Sequence, residues 1–84
     1  MFGFLKKGKV ERLMVLGTMS KEEEDFGEAI EYFDQAVQAA GSSKSLQSYK
    51  TLALMEKDFC LRKLGRFDEA SAVFAESMRI LQEG

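Results

Sequence analysis

This sequence has no histidine, proline, tryptophan or asparagine, and a single cysteine. Each absence excludes something. Without histidine, the commonest general base and metal ligand is missing. Without proline, nothing interrupts a helix, and the Ala-, Leu-, Glu- and Lys-rich composition favours helices. Cys60 alone cannot form an internal disulfide, so the expected setting is a reducing one, the cytoplasm. No apolar run approaches the roughly 20 residues of a membrane span. The stretch MFGFLKKGK puts its basic residues after its apolar ones and has no long apolar region, so it does not read as a secretory signal. A net charge of −2 argues against a general nucleic-acid binder, which needs a surplus of Lys and Arg on one face. The 84 residues fit one small domain, residues 1–84.

What is present is helical period broken by glycine and serine. GSSKS, Gly41 to Ser45, is the clearest break, with a glycine suited to a helix C-cap and serines suited to the next N-cap. Gly65 makes a second break, and Asp68 and Glu69 follow it where carboxylates suit the positive end of a helix dipole. A first turn is expected from Glu22 to Asp25, although a capping box from Ser20 to Glu23 would start the second helix earlier. Phe26, Ala29, Ile30, Phe33, Ala36, Val37 and Ala40 recur at steps of three and four, as do Phe67, Ala70, Val73, Phe74, Ser77, Met78 and Leu81. The segment from Ser45 to Leu64 is apolar over a broader arc, the mark of a helix with neighbours on more than one side. The expected fold is all-α, four helices in two antiparallel hairpins.

The two hairpins repeat one another. Phe26 answers to Phe67, Ala29 to Ala70, Phe33 to Phe74 and Ala36 to Ser77, each pair 41 residues apart. In the first unit Leu13, Leu16-Gly17, Ala29-x3-Phe33 and Ala36 follow in order, with Ser20 where tyrosine is usual and Gly41 where proline is usual. In the second, Leu54, Leu61, Leu64-Gly65-Arg66-Phe67-Asp68-Glu69-Ala70 and Ala70-x3-Phe74 do the same. Lys57-Asp58 replaces the Leu-Gly pair there, which removes the close packing that glycine permits. This pattern resembles the tetratricopeptide family over almost the whole chain, residues 10–43 and 51–84, and implies a short solenoid of stacked hairpins whose second unit, 44–84, has an extended first helix. A generic four-helix bundle is the alternative. The family's period is about 34 residues, so seven more are needed to reach 41. Seven is close to two helical turns, which predicts a third helix of about 20 residues, with Leu46 and Tyr49 on a projecting front end.

No catalytic, cofactor or metal site is expected. The abundant carboxylates read as solvated helix faces, and KEEED as a helix start. Cys60, on an apolar arc, reads as a buried structural thiol. The resemblance instead implies a groove lined by first helices, which receives a peptide or an amphipathic helix of another protein. Carried over residue by residue, it places Glu11, Met14, Thr18 and Lys21 on that groove, with Leu52, Met55, Phe59 and Arg62 from the third helix. The bland reading of the methionines is core. The asparagines by which some family members hold a terminal carboxylate are absent. Two repeats fall short of a stable stack, so homo-oligomerisation is expected, with Val73, Met78, Ile80 and Leu81 left apolar for it. A self-assembling structural protein is therefore a second reading. A weaker third is a peripheral membrane-surface protein, since residues 1–8 combine Phe2, Phe4 and Leu5 with Lys6 and Lys7, close to Lys9 and Arg12. Gly3 and Gly8 weaken any helix there.

Overall fold

A computed structural model describes residues 2–83, with side-chain environments from residue 5 onward. Four helices follow the punctuation: α1 (Phe2–Glu22), α2 (Phe26–Ala40), α3 (Gln47–Lys63) and α4 (Phe67–Glu83), with a 3-10 turn at Lys44–Leu46. No strand occurs among the described residues. Each helix packs on its neighbour in sequence, giving two stacked antiparallel hairpins, and α1 also touches α3. α1 and α4 do not pack together, and the molecule measures 40 × 28 × 14 Å. It is a flat, open stack; a closed bundle would bring its outer helices together.

The first turn falls where expected. Ser20 stays inside α1, and Asp25 caps α2, its carboxylate accepting the Glu28 N–H at 3.2 Å. Gly41 ends α2 with a positive φ of 54°. The serines after it do not cap by side chain. Gln47 takes over, its amide donating to the carbonyls of Gly41 and Ser43, and Lys50 also donates to Gly41.

The repeat is visible bond by bond. Glu23 N–H donates to Met19 and, 41 residues on, Leu64 N–H donates to Cys60. Glu24 to Lys21 matches Gly65 to Arg62, Asp25 to Ser20 matches Arg66 to Leu61, and Ala29 to Asp25 matches Ala70 to Arg66. Even the left-handed residue recurs, at Glu24 (φ 62°) and at Gly65 (φ 76°).

This equivalence corrects the account of the spacing. α3 has 17 residues, as does α4, so it does not project beyond its hairpin partner. Residues 44–50 are helical, first as the 3-10 turn and then as α3. They pack inward: Leu46 is buried in the core, and Tyr49 packs against that core while donating to a Glu11 carboxylate oxygen at 2.6 Å. α1 is longer still, at 21 residues, because the helix runs through Gly8. In α1 a Cβ at Gly8 would meet nothing, so glycine there answers no packing need. Both units therefore have a long first helix, and the extra residues are no insertion confined to the second.

Gly17 is different. A Cβ there would stand 2.6–2.9 Å from the Phe33 ring, closer than van der Waals contact allows. Phe33 accordingly packs directly against α1 and is fully buried. The equivalent pair in the second hairpin is Asp58 and Phe74. Asp58 stands at the glycine's place, its carboxylate paired to Arg62 at 2.8 Å, and Phe74 is 45% exposed.

The left-handed turn gives a direct test. Replacing Glu24 by glycine removes a strain of roughly 1–2 kcal/mol, part of which glycine's freedom in the unfolded chain offsets. Glu24→Gly should therefore raise the stability measured by urea unfolding by about 0.5–1 kcal/mol, while Gly65→Ala should lower it. A destabilising Glu24→Gly would contradict the turn geometry.

Candidate interaction surface

α3 is held on two sides. Towards α2 it uses Lys57, paired with Asp34 at 2.6 Å, and Lys50. Leu54 and Leu61, a turn apart from these, are buried. The remaining side carries Leu52, Met55 and Phe59 at steps of three and four, and these three are 44–48% exposed. That is the spacing of anchors which a partner helix or peptide would meet.

Its margin is charged. Lys21 of α1 pairs with Glu56 of α3 at 2.7 Å, and the ammonium groups of Lys21 and Lys63 each lie 5.3 Å from the centre of the Phe59 ring. Such cation–π contacts hold an exposed ring by about 0.5–1 kcal/mol each. Phe26 meets the same ring edge-on, 6.3 Å between centroids. Phe59 is thus fixed in place while nearly half of it faces solvent.

The α1 residues expected on the groove divide. Thr18 and Lys21 are half-buried beside α3, and Glu11 is exposed but engaged by Tyr49. Met14 is buried and does not line an open groove. It occupies the place equivalent to Met55, but lies between Glu11 and Lys21, both of which contact α3, so α3 covers it. No helix among the described residues covers Met55 in the same way. Arg62 is exposed and bound to Asp58.

The residues expected for self-association divide too. Ile80 is buried and Val73 packs against the core, because with Ala70 and Ser77 they form the side of α4 turned to α3. Met78 and Leu81 are exposed, as are Phe67 and Phe74. Steps of three and four along the sequence put all of these on one apolar arc. The signal that separates them is a seven-residue step, from Phe67 to Phe74 to Leu81, which marks a second stripe. Val15 and Met19 of α1 are also exposed apolar residues that the pattern did not single out. Near the start of α1, Leu5, Lys7, Lys9 and Arg12 are exposed and Lys6 partly so, whereas the side chains of Phe2 and Phe4 lie outside the described residues.

Among the described residues, no three His, Cys, Asp or Glu side chains are arranged to hold a metal ion, and no helix is long and apolar enough to cross a membrane. No protein-family model matches the chain, and neither a curated protein nor a solved structure is significantly similar to it.

Cys60 is fully buried. Burial, with a smaller push from Glu56, raises its thiol to about 11 from an ordinary value near 9. The folded state therefore keeps a proton that the unfolded state releases. Stability from this source is intact below about pH 9 and is lost as the pH rises towards about 11. Cys60→Ala should flatten that alkaline decline in unfolding midpoint, and in the unaltered protein a thiol reagent should label Cys60 only as fast as the fold opens.

Proposed function

We propose that this protein is a non-enzymatic interaction module that binds a peptide or amphipathic helix of another protein. Its hairpins act in the manner of tetratricopeptide repeats, and the cytoplasm is the setting that fits a lone thiol. The observation that carries this reading is the stripe of Leu52, Met55 and Phe59, half-exposed on a helix held on its other sides. A large side chain kept in water by a rigid scaffold gains its apolar stabilisation only when a partner covers it. Methionine at the centre suits such a surface, since its flexible thioether adapts to different apolar contours.

The charged margin adds direction. Of the cations beside Phe59, Lys21 is paired with Glu56 and Arg62 with Asp58, whereas Lys63 has no ion pair among the described residues, so a partner carrying a carboxylate beside its apolar anchor is favoured at that end.

Selection from a displayed library of amphipathic helices tests the reading. Binders should be recovered that lose at least tenfold in affinity when Met55→Glu or Phe59→Ala is introduced, a change of about 1.4 kcal/mol. The same binders should tolerate Leu81→Glu on α4. No binders, or binders indifferent to both α3 substitutions, would overturn the proposal.

A further inference from the structure

The outward stripe of α4 is independent of the α3 surface. Phe67, Ser71, Phe74, Met78 and Leu81 succeed one another at steps of four and three, the alternation of a coiled-coil seam. The four apolar members are 39–59% exposed, and no charged residue falls among them. At the standard rise the stripe is about 21 Å long. On α2 the counterparts of this face are covered within the chain itself, Phe26 and Val37, which answer to Phe67 and Met78, being half-buried. Phe33, Ala40 and Ile30 answer to Phe74, Leu81 and Ser71, and all three are buried.

Two occupants built from this chain are possible in principle. One is head-to-tail continuation, with α1 of a second copy lying on α4 as α3 lies on α2. The side of α3 that faces α2 runs Lys50, Ala53, Lys57 and Cys60, and Ala53 is fully buried there. The equivalent side of α1 runs Lys9, Arg12, Leu16 and Met19, so an arginine would enter where alanine is needed. Asp34, which receives Lys57 at the internal junction, has Ala75 as its counterpart on α4. The Lys57–Asp34 pair would thus give way to Leu16 beside Ala75, and the Arg12 guanidinium would be pressed into a place packed for an alanine, a costly burial of charge.

The other is α4 against α4, and the charges beside the stripe favour it. Asp68, near the start of the helix, and Arg79, near its end, lie on the same flank, about 20° apart around the axis. We infer that two copies of this chain pair through α4 in a closed, antiparallel, two-fold arrangement centred on Phe74. Asp68 of each chain then stands level with the partner's Arg79, twice over by symmetry. Phe67 lies opposite the partner's Leu81. A parallel pair would instead set the flank of Asp68 and Arg79 beside the partner's opposite flank, that of Ala70 and Ser77, with no such charge pairing, and would align the helix dipoles unfavourably. Among the described residues Arg79 is held by one exposed pair, with Glu83 at 2.9 Å, which exchanges readily.

Light scattering on the full chain, from micromolar to near-millimolar concentration, tests this. A dimer that grows no further is expected. Phe74→Asp and Met78→Glu each replace an exposed side chain, so helical content by circular dichroism should be unchanged while dissociation strengthens by about thirtyfold, the scale of an interface hot spot. Asp68→Arg and Arg79→Asp should each weaken the dimer, and the double exchange should restore it. Leu52→Glu should leave it intact. A monomer at every concentration, a ladder of larger species, a dimer indifferent to Phe74→Asp, or charge variants without reciprocal rescue would each overturn the inference.

Discussion

The ring of Phe33 lies against α1 at Gly17, the place where a Cβ would stand 2.6 Å away. That contact lets α2 approach α1 closely and puts a whole aromatic side chain out of water, an interaction worth roughly 1.5–3 kcal/mol. The second hairpin repeats the backbone of the first, turn for turn, but substitutes Asp58 for the glycine. Phe74 cannot lie where Phe33 lies. It faces solvent, and with it the apolar stripe of α4 comes into being. One missing side chain thus separates a closed hairpin from an open one.

The same logic explains why α3 is the helix that carries the other surface. A stacked helix is covered by its hairpin partner and by the helix before it, which leaves one side free. On α1 that side meets α3 through Glu11 and Lys21, and Met14 is buried in consequence. On α3 nothing among the described residues takes that place, and Leu52, Met55 and Phe59 remain half in water. Two apolar faces on different helices serve different ends in our reading. The α3 face, with its basic margin, takes a foreign segment, and the α4 face, with complementary charges on one flank, takes a second copy.

Much of this was legible in the residues. Helix boundaries follow from Gly41, Gly65, Asp25 and the acidic cluster, since these positions have conformational or capping requirements that few residues meet. The hairpin repeat follows from Ala-x3-Phe in both units, and the loss of close packing at Asp58 follows from the missing glycine. What the period alone did not reveal is which half of a broad apolar arc turns inward. Met14 and Met55, or Ile80 and Leu81, are alike in sequence, and their exposure depends on which neighbouring helix lies alongside. The seven residues beyond a 34-residue period read as an insertion in the second unit, whereas α1 is long too and runs through Gly8, a glycine that weakens a helix without ending it.

The comparison that tests the asymmetry most directly is urea unfolding of Gly17→Ala beside Asp58→Ala at one fixed protein concentration. The account predicts that the methyl group at position 17, forced against a buried ring, lowers stability by about 1–3 kcal/mol. At position 58 the alanine loses only a pair with Arg62, about 0.3–0.5 kcal/mol. Equal losses at the two positions, or a harmless Gly17→Ala, would mean that the Phe33 contact does not govern how the two hairpins differ.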